Sequence, residues 1–372
     1  MFSLFNLEKS FFIQNVGSYQ RSQHGPTPCQ LAFVSQLLSV GSRPISVAVG
    51  DFNLDRNPDA VVANSGDNTV TVLLGNGIND TIRQGSFPTG ANPQSVAVGD
   101  FNLDGNPDVV VANSGDNTVT VLLGNSANNT ILQGSFPTGA NPQSVAVADF
   151  NLDGNPDVVV ANWGDNTVTV LLGDGINNTI GQRSFPTGAN PQSVAIGDFN
   201  LDRNPDVVVA NSGDNTVTVL LGNGVNDTIW QGSFPTGTNP QSVAVGDFNL
   251  DGNPDVVVAN SGDNTVTVLF GDGVNNIIGQ ASFLTGTNPR SVAIGDINFD
   301  GKPDVVVANL GDNTVTVLLG DGQGNVISYQ TFPAGGSPSS IAVYDLNGDS
   351  RLDLVVTNYN QSTISILFNT CQ

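Results

Sequence analysis

The sequence predicts an all-β protein: a seven-bladed β-propeller with four antiparallel strands per blade, closed by the N-terminal strand joining the last blade. Three observations predict it: a 49-residue period that recurs seven times, four strand-like segments in a period, and a last period that lacks its fourth strand. The seven periods account for 343 of the 372 residues. One repeat array is therefore expected rather than several unrelated domains.

Four strands are predicted for the period at residues 94–142, namely Ser95–Phe101, Asp108–Ala112, Thr118–Leu123 and Ile131–Phe136. The second is a run of β-branched apolar residues without polar alternation, which is typical of a strand covered on both faces. Turns rich in Gly, Asn, Asp and Pro separate the strands. A β-solenoid is the alternative architecture, but its coils are usually shorter and its open ends need caps.

Closure of the ring is predicted from the two chain ends. The last period stops at Gln372 before a fourth strand, and residues 30–39 can supply that strand. The only two cysteines, Cys29 and Cys371, flank the strands that would then pair. A disulfide between them is expected to stabilise the closure by about 2–5 kcal/mol. Two free thiols are the alternative, since sequence does not set the Cα distance that a disulfide requires.

The predicted organisation is an N-terminal arm, residues 1–28, expected to be poorly ordered, followed by a single propeller domain, residues 29–372. The blades are expected near residues 45–93, 94–142, 143–191, 192–240, 241–289, 290–338 and 339–372, the last completed by 30–39. The arm has no basic segment, continuous apolar segment or small-residue cleavage site, so we do not predict a signal peptide. No run of 18 apolar residues occurs, so no membrane span is expected.

An acidic nine-residue loop, Asp-x-Asn-x-Asp-x-x-x-Asp, recurs once per period, and its positions are numbered 1 to 9 here. Oxygen side chains at positions 1, 3, 5 and 9 can converge on a cation, together with a backbone carbonyl and a water. Hard oxygen ligands in a flexible loop favour calcium over magnesium, so up to seven calcium ions are expected. The alternative is an Asx-rich turn without metal. The predicted ligands are Asp51, Asn53, Asp55, Asp59, Asp100, Asn102, Asp104, Asp108, Asp149, Asn151, Asp153, Asp157, Asp198, Asn200, Asp202, Asp206, Asp247, Asn249, Asp251, Asp255, Asp296, Asn298, Asp300, Asp304, Asp345, Asn347, Asp349 and Asp353.

The charge distribution supports cations as partners. The formal net charge is −23, and Glu8 is the only glutamate. Most of the aspartates lie in the seven loops, so the acidity is local and patterned rather than that of a disordered tail. Phosphate binding needs basic surface, and nucleic acid is therefore excluded as an expected partner.

The seven loops are not predicted to bind equally. Position 6 is Gly in four loops but Arg56 and Arg203 in two others, and Ser350 in the last. If this position requires a positive φ, a side chain there costs about 1 kcal/mol. Arginine also adds a cation beside the metal. The loops that begin at Asp51 and Asp198 are therefore predicted to bind most weakly.

These residues resemble the FG-GAP (VCBS-type) repeat, a resemblance that covers about residues 30–372. The resemblance implies a seven-bladed propeller similar to that of integrin α subunits, with calcium in such loops. Because the family also includes a lectin, surface proteins and a few enzymes, it implies function only loosely. The matching residues in one period are Phe87, Gly90, Pro93, Val96 or Val98, Gly99, Asp100, Asn102, Asp104, Gly105 and Asp108.

The expected function is that of a calcium-stabilised extracellular or cell-surface propeller, a monomer, that acts as a multivalent binding or adhesion module for glycan or matrix ligands. Candidate ligand contacts are Asp116, Asn117, Asn141 and Gln143 and their repeats, although Asp and Asn are also ordinary hairpin-turn residues. The alternative is a purely structural or protein-interaction disc within a larger surface protein, with no small ligand.

An enzyme is not expected, because His24 is the only histidine and no Ser–His–Asp set is available. Glycosylation is a further expectation of the extracellular interpretation. Sequons occur at Asn79, Asn128, Asn177, Asn226 and Asn360.

Overall fold

The computed structural model describes residues 29–77, 81–125, 132–176, 179–225, 228–274 and 277–371. These residues form seven four-stranded antiparallel sheets, which are the blades of one closed propeller. The predicted arm, residues 1–28, lies outside the described residues. Within a blade the chain runs from the innermost strand outward, and strands are numbered here in chain order.

The innermost strands are β2 (Pro44–Gly50), β6 (Pro93–Gly99), β10 (Pro142–Ala148), β14 (Pro191–Gly197), β18 (Pro240–Gly246), β22 (Pro289–Gly295) and β26 (Pro338–Tyr344). The second strands are β3 (Asp59–Asn64), β7 (Asp108–Asn113), β11 (Asp157–Asn162), β15 (Asp206–Asn211), β19 (Asp255–Asn260), β23 (Asp304–Asn309) and β27 (Asp353–Asn358). The third strands are β4 (Thr69–Gly75), β8 (Thr118–Leu123), β12 (Thr167–Gly173), β16 (Thr216–Gly222), β20 (Thr265–Gly271), β24 (Thr314–Gly320) and β28 (Thr363–Asn369). The outermost strands are β1 (Phe33–Ser39), β5 (Thr81–Pro88), β9 (Leu132–Pro137), β13 (Thr179–Pro186), β17 (Thr228–Pro235), β21 (Ile277–Leu284) and β25 (Val326–Pro333).

The innermost strand begins and ends two residues earlier than predicted. In the second blade it is Pro93–Gly99, not Ser95–Phe101. It ends at Gly99 because the next residue opens the acidic loop, and the Phe101 amide donates to Asp108 instead of to a strand neighbour. Phe101 nonetheless belongs to the core, where it packs with residues of its own blade and of the next.

The hydrophobic core lies between adjacent blades. Every residue of each second strand is buried, which fits its unbroken apolar sequence. In one inter-blade cluster, Val110 and Phe101 of the second blade pack with Val145 and Val158 of the third. Each such side chain contributes about 1.5–3 kcal/mol when it leaves water. Blades are therefore stable as neighbours rather than singly.

A ring of serine hydrogen bonds also joins the blades around the central axis. The hydroxyl oxygen of Ser95 in β6 accepts a hydrogen bond from the backbone amide of Val145 in β10, at 3.2 Å. The equivalent bond recurs at every junction of neighbouring blades, including the junction between the last blade and the first. The seven acceptors are Ser46, Ser95, Ser144, Ser193, Ser242, Ser291 and Ser340.

The ring closes as predicted, and the solenoid alternative is wrong. Strand β1 pairs antiparallel with β28, from Phe33 opposite Asn369 to Ser39 opposite Thr363, and it completes the blade formed by β26, β27 and β28. Cys29 and Cys371 form the expected disulfide, with their Cα atoms 5.4 Å apart. No cysteine among the described residues is left free.

Replacing both cysteines by serine should destabilise the protein by about 2–5 kcal/mol, because the long loop that the disulfide closes regains its freedom in the unfolded chain. Guanidinium unfolding of the double variant measures the loss. The reduced wild type serves as the matched control and should unfold with the variant. A difference below about 0.5 kcal/mol between oxidised wild type and variant would show that strand pairing alone closes the ring.

Candidate metal loops and the opposite turn face

The position-9 carboxylate is the anchor of each acidic loop. In the second blade, Asp108 Oδ2 accepts a hydrogen bond from the Phe101 amide at 2.7 Å, and Oδ1 accepts one from the Gly124 amide, also at 2.7 Å. The aspartate thereby joins the loop to the end of the third strand. The same two bonds recur in all seven blades. All seven side chains are buried: Asp59, Asp108, Asp157, Asp206, Asp255, Asp304 and Asp353.

Burial raises the pKa of these seven carboxyls well above the ordinary value. Loss of water is the largest cause; the two amide hydrogen bonds act in the opposite direction, and the other carboxylates of the same loop raise the pKa further. The pKa is about 6 for Asp59 and Asp108 and about 8 for Asp304. It is about 7 for Asp157, Asp206, Asp255 and Asp353.

The remaining predicted ligands hold the loop in shape with hydrogen bonds of their own. Asp100, at position 1, accepts from the amides of Asp104 and Gly105 at 3.0 and 2.9 Å. Asn102, at position 3, accepts from the Asp104 amide at 3.2 Å and donates to its carboxylate at 2.9 Å. The four predicted residues of a loop are thus brought into one small turn.

The loops are closed by these amide bonds rather than by a converged set of carboxylates. Within the described residues, no three acidic, histidine or cysteine side chains converge on one point as metal ligands do. The donor chemistry nevertheless fits a hard cation, because each loop supplies three carboxylates and one amide oxygen. An oxygen that accepts one amide hydrogen keeps a second lone pair, so these bonds do not exhaust the ligands.

Two positions of the loop have a left-handed backbone. Position 6 has φ between 68° and 89° in all seven loops, including Arg56 at 70° and Arg203 at 71°. The requirement for a positive φ at this position is therefore confirmed. Position 4 has a positive φ as well, although it is Leu in five loops. This second left-handed position was not predicted from the sequence, since leucine gives no signal for such a conformation.

Cationic side chains reach two of the loops from position 7, which sequence analysis also missed. Lys302 lies 3.7 Å from Asp300, and Arg351 lies 3.5 Å from Asp349. The other five loops carry asparagine at this position. In the described part of the chain these are the only ion pairs within 4 Å, so neither Arg56 nor Arg203 contacts a loop carboxylate at that distance.

The opposite surface, named the turn face here, is formed by the turns between second and third strands and by the links between blades. Asn117 Oδ1 accepts from the Asn141 amide at 2.7 Å, and Gln143 Nε2 donates to Asn141 Oδ1 at 2.7 Å. Asp116 turns to the preceding link, where it accepts from the Ala91 amide at 2.9 Å. The structure thus connects three of the four candidate ligand contacts and places the fourth beside a neighbouring link.

These contacts give the turn residues a role in joining blades. Five of the seven links are held by an asparagine of the blade before and an aspartate of the blade after. Both Asp116 and Asn117 remain exposed. In the last blade Gln361 replaces the aspartate, and its Oε1 accepts from the Gly336 amide at 2.8 Å. The carboxylate is therefore replaceable as a structural group.

Four of the five sequons, at Asn79, Asn128, Asn177 and Asn226, lie outside the described residues. The fifth, Asn360, is an exposed residue of the turn face. Among the described residues there is no helix of the length and apolarity that crossing a membrane would need.

Comparison with known proteins agrees with this architecture. The FG-GAP-like repeat pattern matches residues 51–111, 100–160, 149–209, 198–258, 247–307 and 296–356, each match running from one acidic loop into the second strand of the next blade. The chain belongs to the FG-GAP-like repeat family.

Solved structures similar to this FG-GAP-like propeller share its fold at low sequence identity. Two are crystal structures of BBS1N in complex with ARL6DN, soaked with mercury or with lead. They have TM-scores of 0.64 and 0.63 and 12% and 13% identity, and cover 92% and 89% of this chain and 98% and 96% of theirs. A third, a functionally unknown protein from Desulfotomaculum acetoxidans DSM 771, has a TM-score of 0.57 and 14% identity, covering 78% of this chain and 86% of its own. No curated protein matches this chain.

In a chelator, the stability of this FG-GAP-like propeller should fall as the pH rises from 5 to 8. The position-9 carboxyls have raised pKa values in the fold, about 6 to 8, but titrate near 3.9 when unfolded. The folded state therefore holds more protons in this window, and its stability is lost as these groups ionise. Thermal unfolding in EDTA at pH 5, 6, 7 and 8 measures the trend. A melting temperature that rises with pH in EDTA would contradict it.

Proposed function

We propose that this protein is a calcium-stabilised extracellular or cell-surface propeller that binds glycan or matrix ligands through repeated weak sites. The observation that carries the proposal is the buried position-9 carboxylate of each loop, whose pKa is raised by burial and by the other carboxylates of its loop. A buried carboxylate that lies beside other carboxylates of its loop needs a proton or a cation to be stable. At neutral pH a divalent cation neutralises these carboxylates more completely than partial protonation does.

Calcium is the cation that this donor set favours. The side chains at positions 1, 3, 5 and 9 of each loop would hold it, and its charge would turn repulsion between them into attraction. Extracellular modules bind calcium with Kd of about 10⁻⁴–10⁻³ M. At ten times Kd, one site contributes about 1.4 kcal/mol, and seven independent sites about 10 kcal/mol. That total matches the net stability of a domain, so the proposed role is structural.

Calcium affinity should differ between loops in a way that the chain itself can test. The Arg56→Gly and Arg203→Gly double variant should bind two weak ions about two- to five-fold more tightly, because it relieves a strained φ and removes an exposed positive charge beside the metal. Calorimetric titration of calcium measures the weakest class of sites.

Gly105→Arg together with Gly252→Arg is the matched control, since it converts two glycine loops to the arginine form and should create two weak sites. Lys302→Asn and Arg351→Asn, which restore the common position-7 residue, should also tighten binding in their loops. Unchanged affinity in the glycine double variant would contradict the predicted ranking of the loops that begin at Asp51 and Asp198.

Ligand binding is proposed for the turn face, where nearly identical groups recur around the ring. Asp116, Asn117, Asn141 and Gln143 and their repeats offer carboxylate and amide groups spaced by one blade. Several weak contacts with a repetitive glycan or matrix partner would add by avidity. The disulfide between Cys29 and Cys371 supports an oxidising, extracellular setting.

A protein-interaction disc without a small ligand is the second candidate. It is favoured by the similar fold of BBS1N, which was solved in complex with a protein, ARL6DN. In that case the repeated turns would serve mainly to hold the links between blades, as their hydrogen bonds allow. Both candidates are binding functions, and neither requires catalysis.

A glycan array probed with the purified protein distinguishes the two, once in millimolar calcium and once in EDTA. We expect binding to a defined sugar that is lost in EDTA and weakened at low protein density, where avidity fails. Asp116→Gln and the same change in the other five aspartate turns form the matched variant, because Gln361 shows that glutamine keeps the structural bond. If the wild type binds no glycan on the array in calcium, the result would contradict the glycan proposal and favour the protein-interaction disc.

A further inference from the structure

Each of the seven innermost strands contributes two consecutive residues to the lining of the central channel. In β6 the pairing with β7 shifts between Pro93 and Ser95, so Gln94 is an extra residue in the strand. A bulge of this kind re-aims a side chain, and both Gln94 and Ser95 line the channel. The shift recurs in every innermost strand. Two layers of side chains therefore face the same cavity of about 100 Å³: the seven serines, and the residues that precede them, named the outer layer here.

The serine layer is a ring of hydrogen-bond donors. Each serine oxygen already accepts the backbone amide of the next blade at 3.1–3.4 Å. A hydroxyl group that accepts through its oxygen still carries a hydrogen to donate. Among the residues that the structure describes, none of the seven hydroxyls donates to a protein acceptor. The ring thus offers donors to whatever occupies the channel.

The outer layer is glutamine in four blades but differs in the other three. The residues there are Ile45 in the first blade, Arg290 in the sixth and Ser339 in the seventh, against Gln94, Gln143, Gln192 and Gln241 elsewhere. Because the blades are otherwise nearly identical, these substitutions make the channel asymmetric. They place one positive charge in a channel whose lining has no aspartate or glutamate.

Arg290 has hydrogen-bond capacity left over. Its guanidinium donates to Gln241 Oε1 on the fifth blade, although a guanidinium carries five N–H donors. Its neighbour on the seventh blade is Ser339, a short buried residue whose hydroxyl contacts Pro44 and Thr357. No carboxylate of the described residues lies within ion-pair distance of Arg290. Burial lowers the pKa of this guanidinium, yet arginine stays protonated at neutral pH.

We propose that the channel beside Arg290 is a binding site for a small oxyanion of the carboxylate class, held by the guanidinium and by serine hydroxyls. A carboxylate matches the fork of an arginine and the donors that surround it. The cavity volume admits about three waters at about 30 Å³ each, so only a small acid or the terminal carboxylate of a longer chain fits. The site needs no residue of the acidic loops and is independent of the calcium proposal.

Calorimetric titration of the 372-residue chain with sodium acetate tests the site, with sodium chloride as the ionic control. Arg290→Gln removes the charge and installs the residue that four other blades carry there. Arg183→Gln, at an exposed residue of the outer strand β13, makes the same change of charge elsewhere. We expect saturable acetate binding by wild type and by Arg183→Gln, and at least about ten-fold weaker binding by Arg290→Gln, since a charged hydrogen-bond donor is lost.

Gln241→Glu provides a second, isosteric test that does not remove Arg290. It sets a carboxylate against the guanidinium from within the chain, so it should abolish acetate binding and raise the melting temperature. Equal binding by wild type, Arg290→Gln and Arg183→Gln would overturn the proposal, and so would the absence of saturable wild-type binding to both acetate and a peptide with a free C-terminus.

Two short peptides, one with a free C-terminus and the same peptide amidated, distinguish a chain terminus from a small acid as the source of the carboxylate. Binding of only the free-acid peptide, lost in Arg290→Gln, supports the site with a chain terminus as occupant; binding of acetate alone supports it with a small acid. Repeating the titration after EDTA, at a temperature where the fold persists, keeps the two proposals distinct. Loss of calcium binding would not affect Arg290, and loss of acetate binding would not affect the loops.

Discussion

One buried carboxylate per blade connects the acidic loop with the second and third strands of that blade. The position-9 aspartate ends the acidic loop, begins the second strand and accepts the amide at the end of the third strand. Three chain segments of a blade therefore meet at one side chain. Because the group is buried, its ionisation costs free energy, and the fold must offset that cost through amide donors, protons or a bound cation.

The fold could be read from the sequence because its signals are repeated and local. The 49-residue period, the apolar second strands and the missing fourth strand of the last period determine the number of blades and the means of closure. The two cysteines flank the closing pair, so their partnership followed from topology. Strand ends were less accurate: Phe101 is apolar and resembles a strand residue, but its backbone amide donates to the Asp108 carboxylate rather than to a neighbouring strand.

The candidate site was only partly predictable. The oxygen-bearing residues of the loops stand at fixed spacing, and glycine at position 6 indicated the positive φ. The positive φ of leucine at position 4 was not predictable, and neither were the ion pairs that Lys302 and Arg351 form from position 7. Both depend on the direction of the loop backbone, which composition does not reveal. The serine ring was missed for a related reason. A serine in the repeated sequence PQSV gives no signal of such a role. The bulge directs it to the axis, where its partner is an amide about 50 residues away in the sequence.

The disulfide has a topological consequence beyond stability. With Cys29 bonded to Cys371, the backbone between them is a closed covalent circle, and their sequence separation is 342 residues. One peptide cleavage at any exposed turn opens that circle without dividing the molecule. Each fragment would still be held by the sulfur bridge, by β1 paired with β28 and by cores shared between blades. After a single proteolytic cleavage, the protein would therefore still migrate as one molecule under non-reducing conditions. Its repeated surfaces would also be intact.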